Sequence, residues 1–195
     1  MEQQKIYSKL LILWIGLVIN AGGVLLSDYA LPMLIGSIIS FVGILYAMAA
    51  LRSVAPRFEK AFLHQIVSVV LTLVALAVLA YSSYRGNLSA FALNMLSLCM
   101  MIGSIFSLLA DYNLFWGLDE LILSRGYPFP ARRIRWCFYL VLLGSLAAST
   151  VALFDGEGMI ATMLVALAFA VARLVLLFQY MRAVKTREDN PLNEL

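Results

Sequence analysis

The sequence predicts an all-α polytopic membrane protein, with six transmembrane helices arranged as three antiparallel hairpins and both termini on the cytoplasmic side. Three observations predict it. Hydrophobic residues fill 63% of the 195 positions and charged residues only 13%, a balance that no soluble domain can bury. Mean hydropathy is +0.93, and the charges fall in clusters between long apolar runs, as they do when the solvent is lipid. Lysine and arginine are divided unequally between alternate connections. Together these observations exclude a soluble enzyme, a disordered chain and a disulfide-stapled secreted domain.

A helix needs about 20 apolar residues to cross a hydrocarbon core of about 30 Å. Six stretches serve, at about 10–27, 29–51, 61–84, 86–110, 136–154 and 158–181, each set off by charged residues. Barrel strands would alternate polar and apolar residues over about ten positions, and no stretch here does so. The connections around Asp28, around Arg85–Asn87 and at Asp155–Gly158 are short, which makes the spans they join antiparallel neighbours. Arg85 is alone on that outer side. The inner side holds Lys5, Lys9, Arg52, Arg57, Lys60, Arg125, Arg132, Arg133, Arg135, Arg182, Lys185 and Arg187. This positive-inside asymmetry sets an N-in, C-in, multi-pass chain in the cytoplasmic membrane. The net charge of +3 suits an anionic inner leaflet and requires no nucleic-acid partner.

Span one begins like a secretory signal, with a basic start, an apolar run and the small residues Ala21, Gly22 and Gly23. The run continues to Leu26, so we read a retained helix. On span two, Gly36, Ser40, Gly43, Ala47 and Ala50 recur every three or four residues and form a small-residue stripe, the kind of surface that lets helix backbones approach in lipid. Such a stripe serves as an intrachain seam or, as the sharper alternative, a homo-oligomer contact. Pro56 breaks the chain before span three, whose His64 or Gln65, Ser68, Thr72 and Ala75 share a face.

Span four carries a polar-tinged line, Asn94, Ser97, Met101, Ser104, Leu108 and Asp111. Beyond it, 113–125 reads as an amphipathic helix at the cytoplasmic interface or as an extension of the span. Leu114, Phe115, Leu118, Leu121 and Ile122 fall on one side, with Asp119 and Glu120 off it. Gly126, Pro128 and Pro130 end it. Span five offers Gly144, Ala148 and Ala152 for packing, span six is rich in alanine, and 183–195 is a polar tail.

Arg173 is the only full charge inside a span. It lies about 13 Å up the helix from Arg182, and its side chain leaves the helix toward the bilayer interior, which hinders snorkelling. An intramembrane charge is a functional-site hypothesis. Asp111, tilted inward from the same edge on span four, is the expected counter-ion. With Asn94 and Asn20 added as uncharged hydrogen-bonding groups, Arg173 and Asp111 make a set of ligand- or ion-binding candidates.

Chemical signatures are otherwise sparse. One histidine and two cysteines build no ordinary metal site, and the depths of Cys99 and Cys137 forbid a disulfide. No nucleophile elbow, zinc-protease motif or phosphate loop occurs, and no cofactor is implied. The Asn87-Leu88-Ser89 triplet is too short a match to carry a function. The expectation is therefore a non-enzymatic membrane component that binds or transports a small solute through a polar pocket around Arg173. The alternative is a regulatory or assembly subunit of a larger membrane complex, working through 113–135 with Trp116, Asp119 and Glu120 and the Gly36, Ser40, Gly43 stripe as interface candidates. A lipid-modifying enzyme using Asp111, Asp119 and Glu120 ranks third.

Overall fold

The computed structural model describes residues 4–25, 30–85, 89–150 and 157–189. Among them the chain is helical, without strands: α1 (Gln4–Leu25), α2 (Ala30–Leu51), α3 (Pro56–Tyr84), α4 (Ala90–Arg125), α5 (Trp136–Thr150) and α6 (Glu157–Asp189), with one short 3-10 turn at Arg133–Arg135. The helix boundaries follow local chemistry. Lys9 Nζ donates to the Ala50 carbonyl at 2.6 Å, so a cation meets the negative end of α2. Pro56 occupies the first helical position of α3, where its missing N–H costs nothing. Ser89 caps α4 by accepting from the Ala92 N–H at 3.2 Å. Gly126, in the left-handed region at φ 62°, closes the other end by donating to the Ile122 carbonyl.

Segment 113–125 is the last third of α4 rather than a separate helix, so the span and its extension form one rod of 36 residues. Among the described residues three helices, Pro56–Ser82, Ala90–Arg125 and Ile160–Asp189, are long and apolar enough to cross a membrane; Ile6–Gly22 and Ile38–Leu51 are shorter apolar helices. The length criterion thus supports three spans where the sequence predicts six. Apolar helices of this kind are compatible with a membrane location. The connections at 26–29, 86–88 and 151–156, the Asn87 triplet and the end of the tail lie outside the described residues, as do the side-chain surroundings of Gly36.

Each helix packs on the next in chain order, most extensively α1 on α2, α3 on α4 and α5 on α6, and α6 returns to α1. Trp14 Nε1 makes that return specific by donating to the Leu174 carbonyl at 3.0 Å. Small residues set the closest approaches. Ser40 Oγ donates to the Gly16 carbonyl at 2.7 Å, and a Cβ on Gly16 would stand 3.0 Å from Ile44 Cγ1 and 3.1 Å from the Ser40 oxygen. Gly103 likewise fits α4 against Ser68, Leu71 and Thr72 of α3. Ser40, Gly43 and Ala47 of the small-residue stripe therefore lie along the α1–α2 seam.

Burial is concentrated at one end. Ile6, Leu10 and Leu13 of α1, Met48 and Leu51 of α2, Phe58 of α3, Leu114, Phe115 and Leu118 of α4, and Leu177, Tyr180 and Val184 of α6 form a single core at the end that carries most of the cations. Toward the other end the apolar side chains are exposed, among them Leu73, Leu76, Phe91, Met101, Ile105, Leu146, Ile160 and Leu164. Apolar helix faces exposed in this way suit a lipid surrounding.

A test follows from the seam. Gly16→Leu overpacks the α1–α2 contact and should destabilise the detergent-purified chain by about 1–3 kcal/mol in chemical denaturation. Gly22→Leu, with no neighbouring atom within 4 Å of an added Cβ, serves as its partner and should stay within about 0.5 kcal/mol. Equal losses would show that the seam is not where α1 and α2 meet.

Candidate functional site

Three helix faces that build the core continue past it as polar residues. On α4 the seven-residue repeat Ser97, Ser104, Asp111, Leu118 runs along one line; Leu118 is fully buried, Asp111 is half-buried, and Ser104 and Ser97 are exposed. On α6 the line is Arg173, Leu177, Tyr180, Val184, with Arg173 half-buried one turn beyond three buried residues. On α1, Ile6, Leu10, Leu13 and Leu17 are buried and Asn20, next on the same face, is exposed. The α4 and α6 lines meet physically below the polar positions, where Tyr180 Oη donates to the Leu118 carbonyl at 3.2 Å.

Arg173 and Asp111 therefore both stand just beyond the packed core, on different helices, each seven residues from the Tyr180–Leu118 contact. Arg173 is the charge that acts favourably on the Asp111 carboxylate, and both act on the Cys137 thiol of α5. Cys137 Sγ itself lies 3.8 Å from the Arg173 carbonyl, to which it donates. Yet among the described residues no ion pair within 4.0 Å joins Arg173 to Asp111. Arg173 Nε is buried and has no hydrogen-bond partner. A buried guanidinium N–H without an acceptor is costly, and groups of this kind concentrate where a ligand or water completes the set.

The other candidates are placed differently. Asn94 and Asn20 are exposed, farther from the core than the charged pair. Ser104 Oγ back-bonds to the Met100 carbonyl at 2.8 Å, and Thr72 to the Ser68 carbonyl at 2.9 Å, so these hydroxyls are satisfied within their own helices. His64 stands against Phe106, with the Asn113 amide 3.3 Å from its Nδ1. Cys99 and Cys137 are both free thiols. Among the described residues no cluster of histidine, cysteine and acidic side chains is suited to a metal.

The acids of the α4 extension are consumed by the fold. Asp119 has 0% exposure: Oδ1 accepts from the Arg132 N–H at 2.6 Å, and Oδ2 accepts from Arg135 Nε at 2.7 Å and Nη2 at 2.6 Å. Arg132 adopts φ 64°, a left-handed conformation rare outside glycine, and in that conformation its N–H reaches the carboxylate. This knot folds the connection back, so that Tyr127, Phe129 and Ile134 enter the core and the rings of Tyr127 and Phe129 meet Tyr180 edge-on. Burial raises the Tyr127 phenol above its ordinary value, with Arg125 pulling the other way. Glu120 pairs with Arg57 across to α3, and Trp116 is enclosed by Tyr112, Phe138 and the Arg135 guanidinium, 5.0 Å from its ring centre. Sequence periodicity left Asp119 off the apolar side of its helix. The signal that could have located it is the run of arginines 13–16 residues later, which supplies both of its partners.

Compared with known proteins, the chain matches no family model, no curated protein and no solved structure.

Because Asp119 is fully buried and Arg135 is partly exposed, Asp119→Ala should cost about 3–5 kcal/mol, as removal of one partner of a buried ion pair does. Trypsin should then cut after Arg132 or Arg133 at least tenfold faster. Asp119→Ala combined with Arg135→Met should recover part of the loss, and cleavage rates unchanged from those of the parent chain would refute the knot.

Proposed function

We propose that this chain is an integral protein of the cytoplasmic membrane that binds or transports a small solute. In this reading the six helices cross as three antiparallel hairpins with both termini inside. The core at the basic end closes the cytoplasmic side, and the exposed polar faces of α1, α4 and α6 line a central polar space above it. The observation that carries the reading is the Arg173 guanidinium, whose buried Nε lacks an acceptor beside an Asp111 carboxylate with which it forms no ion pair. A purely structural charge in an apolar helix is expected to be paired, because an unpaired one is expensive. One left open next to its natural partner leaves room for a guest. Asn20 and Asn94 then offer uncharged hydrogen bonds along the approach.

A non-catalytic regulatory or assembly subunit working through 113–135 is the second reading. Its support is the exposure of two large apolar side chains, Leu123 within the segment and Trp136 just after it, at 67% and 58%.

The central space can be tested by thiol accessibility. In a Cys99→Ala, Cys137→Ala background, Ser97→Cys and Ser104→Cys should react with a membrane-impermeant thiosulfonate, at least tenfold faster than Leu73→Cys. Leu73 is exposed on the side of α3 opposite Ser68 and Ala75, the face turned to α4, and in this reading it meets lipid. Equal, slow labelling at all three positions would remove the central space and leave the second reading.

A further inference from the structure

We propose that the place between Asp111 and Arg173 receives a bipolar solute, a small molecule with one cationic and one anionic end and no net charge; this rests on the solute-binding role proposed above. The two side chains come from different helices, α4 and α6, and on each helix the same face continues from the charged residue into packed core, through Leu118 on α4 and through Leu177 and Tyr180 on α6. They are near enough to influence one another electrostatically and too far apart to form an ion pair within 4.0 Å. A simple anion would satisfy Arg173 and be repelled by Asp111, while a simple cation would meet the converse conflict. Either would leave one charge uncompensated in an apolar surrounding, where compensation matters most. A solute whose carboxylate accepts from the guanidinium, including the partnerless Nε, and whose ammonium donates to the Asp111 carboxylate resolves both at once.

The third neighbour supports the same chemistry. Cys137 Sγ is turned to the Arg173 carbonyl and buried at 0% exposure, so α5 contributes an uncharged wall and no competing counter-ion. The buried side chains below, Phe115, Leu118, Leu177 and Tyr180, bring no charge of their own. Charge balance at the site therefore rests on Asp111 and Arg173 alone among the described residues, and it is even. The separation of the pair makes charge spacing within the solute the selective variable, since only a molecule of matching length engages both ends.

The experiment uses the full chain purified in detergent and measures thermal unfolding with glycine, 4-aminobutyrate and 6-aminohexanoate, against acetate and methylammonium at equal concentration. At least one zwitterion should raise the midpoint by about 3 °C or more with saturation, while the singly charged compounds shift it by less than a third as much. Asp111→Asn should weaken the zwitterion's apparent affinity at least tenfold and narrow its advantage over acetate; Arg173→Met should abolish the shift. If either variant fails to fold, the comparison between zwitterion and single charges on the unaltered chain still decides. Acetate acting as strongly as every zwitterion overturns the proposal in favour of an anion site. No shift with any zwitterion overturns it too: with Ser97→Cys and Ser104→Cys labelled, only the solute class is wrong, whereas without labelling the solute-binding role falls as well.

Discussion

A carboxylate shut away from water must be met by donors, and Asp119 is met by three: the Arg132 N–H and two nitrogens of the Arg135 guanidinium. The geometry that achieves this forces the connection after α4 to turn beneath the helices instead of trailing away. Tyr127, Phe129 and Ile134 are thereby carried into the core, and Tyr180 gains the two rings that hold it where its hydroxyl reaches Leu118. Remove the acid and the floor on which Asp111 and Arg173 stand loses its support. Arg132 accepts an unfavourable backbone conformation as part of the same arrangement, so the cost of one residue secures the packing of many.

The core and the polar faces above it are one design seen at two heights. Helix geometry returns a side chain to nearly the same direction every seven residues, so the line that contributes Leu118 to the core also contributes Asp111, Ser104 and Ser97 beyond it. Where these lines are apolar they interlock; where they turn polar their side chains are exposed, and a hydroxyl such as that of Ser104 bonds within its own helix. The change from closed to open falls at Asp111 and Arg173, which gives a charged threshold between a packed end and a permissive one.

Much of the helical plan was legible in the sequence because its determinants are local. Pro56 and Gly126 mark their boundaries by backbone chemistry alone, and the apolar runs lie where α1 to α6 are found. The inclination of side chains on α4 and α6 makes Asp111 the expected counter-ion of Arg173, and among the described residues no ion pair joins them. Two things were not legible. Hydropathy is high along the apolar stretch of each helix, so it cannot tell an exposed leucine, such as Leu73, from a buried one, such as Leu177. Nor does periodicity reveal contacts made through an irregular connection, which is why Asp119 reads as an interface candidate off the apolar side and is fully buried in the fold.

The contact between Trp14 and Leu174 joins residues 160 positions apart and links the first helix to the last. Local pairs such as α1 with α2 can form while the chain is still being made, but this bond has no partner until α6 has emerged. Trp14 of α1 must therefore wait through the synthesis of four intervening helices before it meets its acceptor. A chain cut short before α6 lacks this contact, and unfinished packing of that kind leaves apolar surface exposed to association.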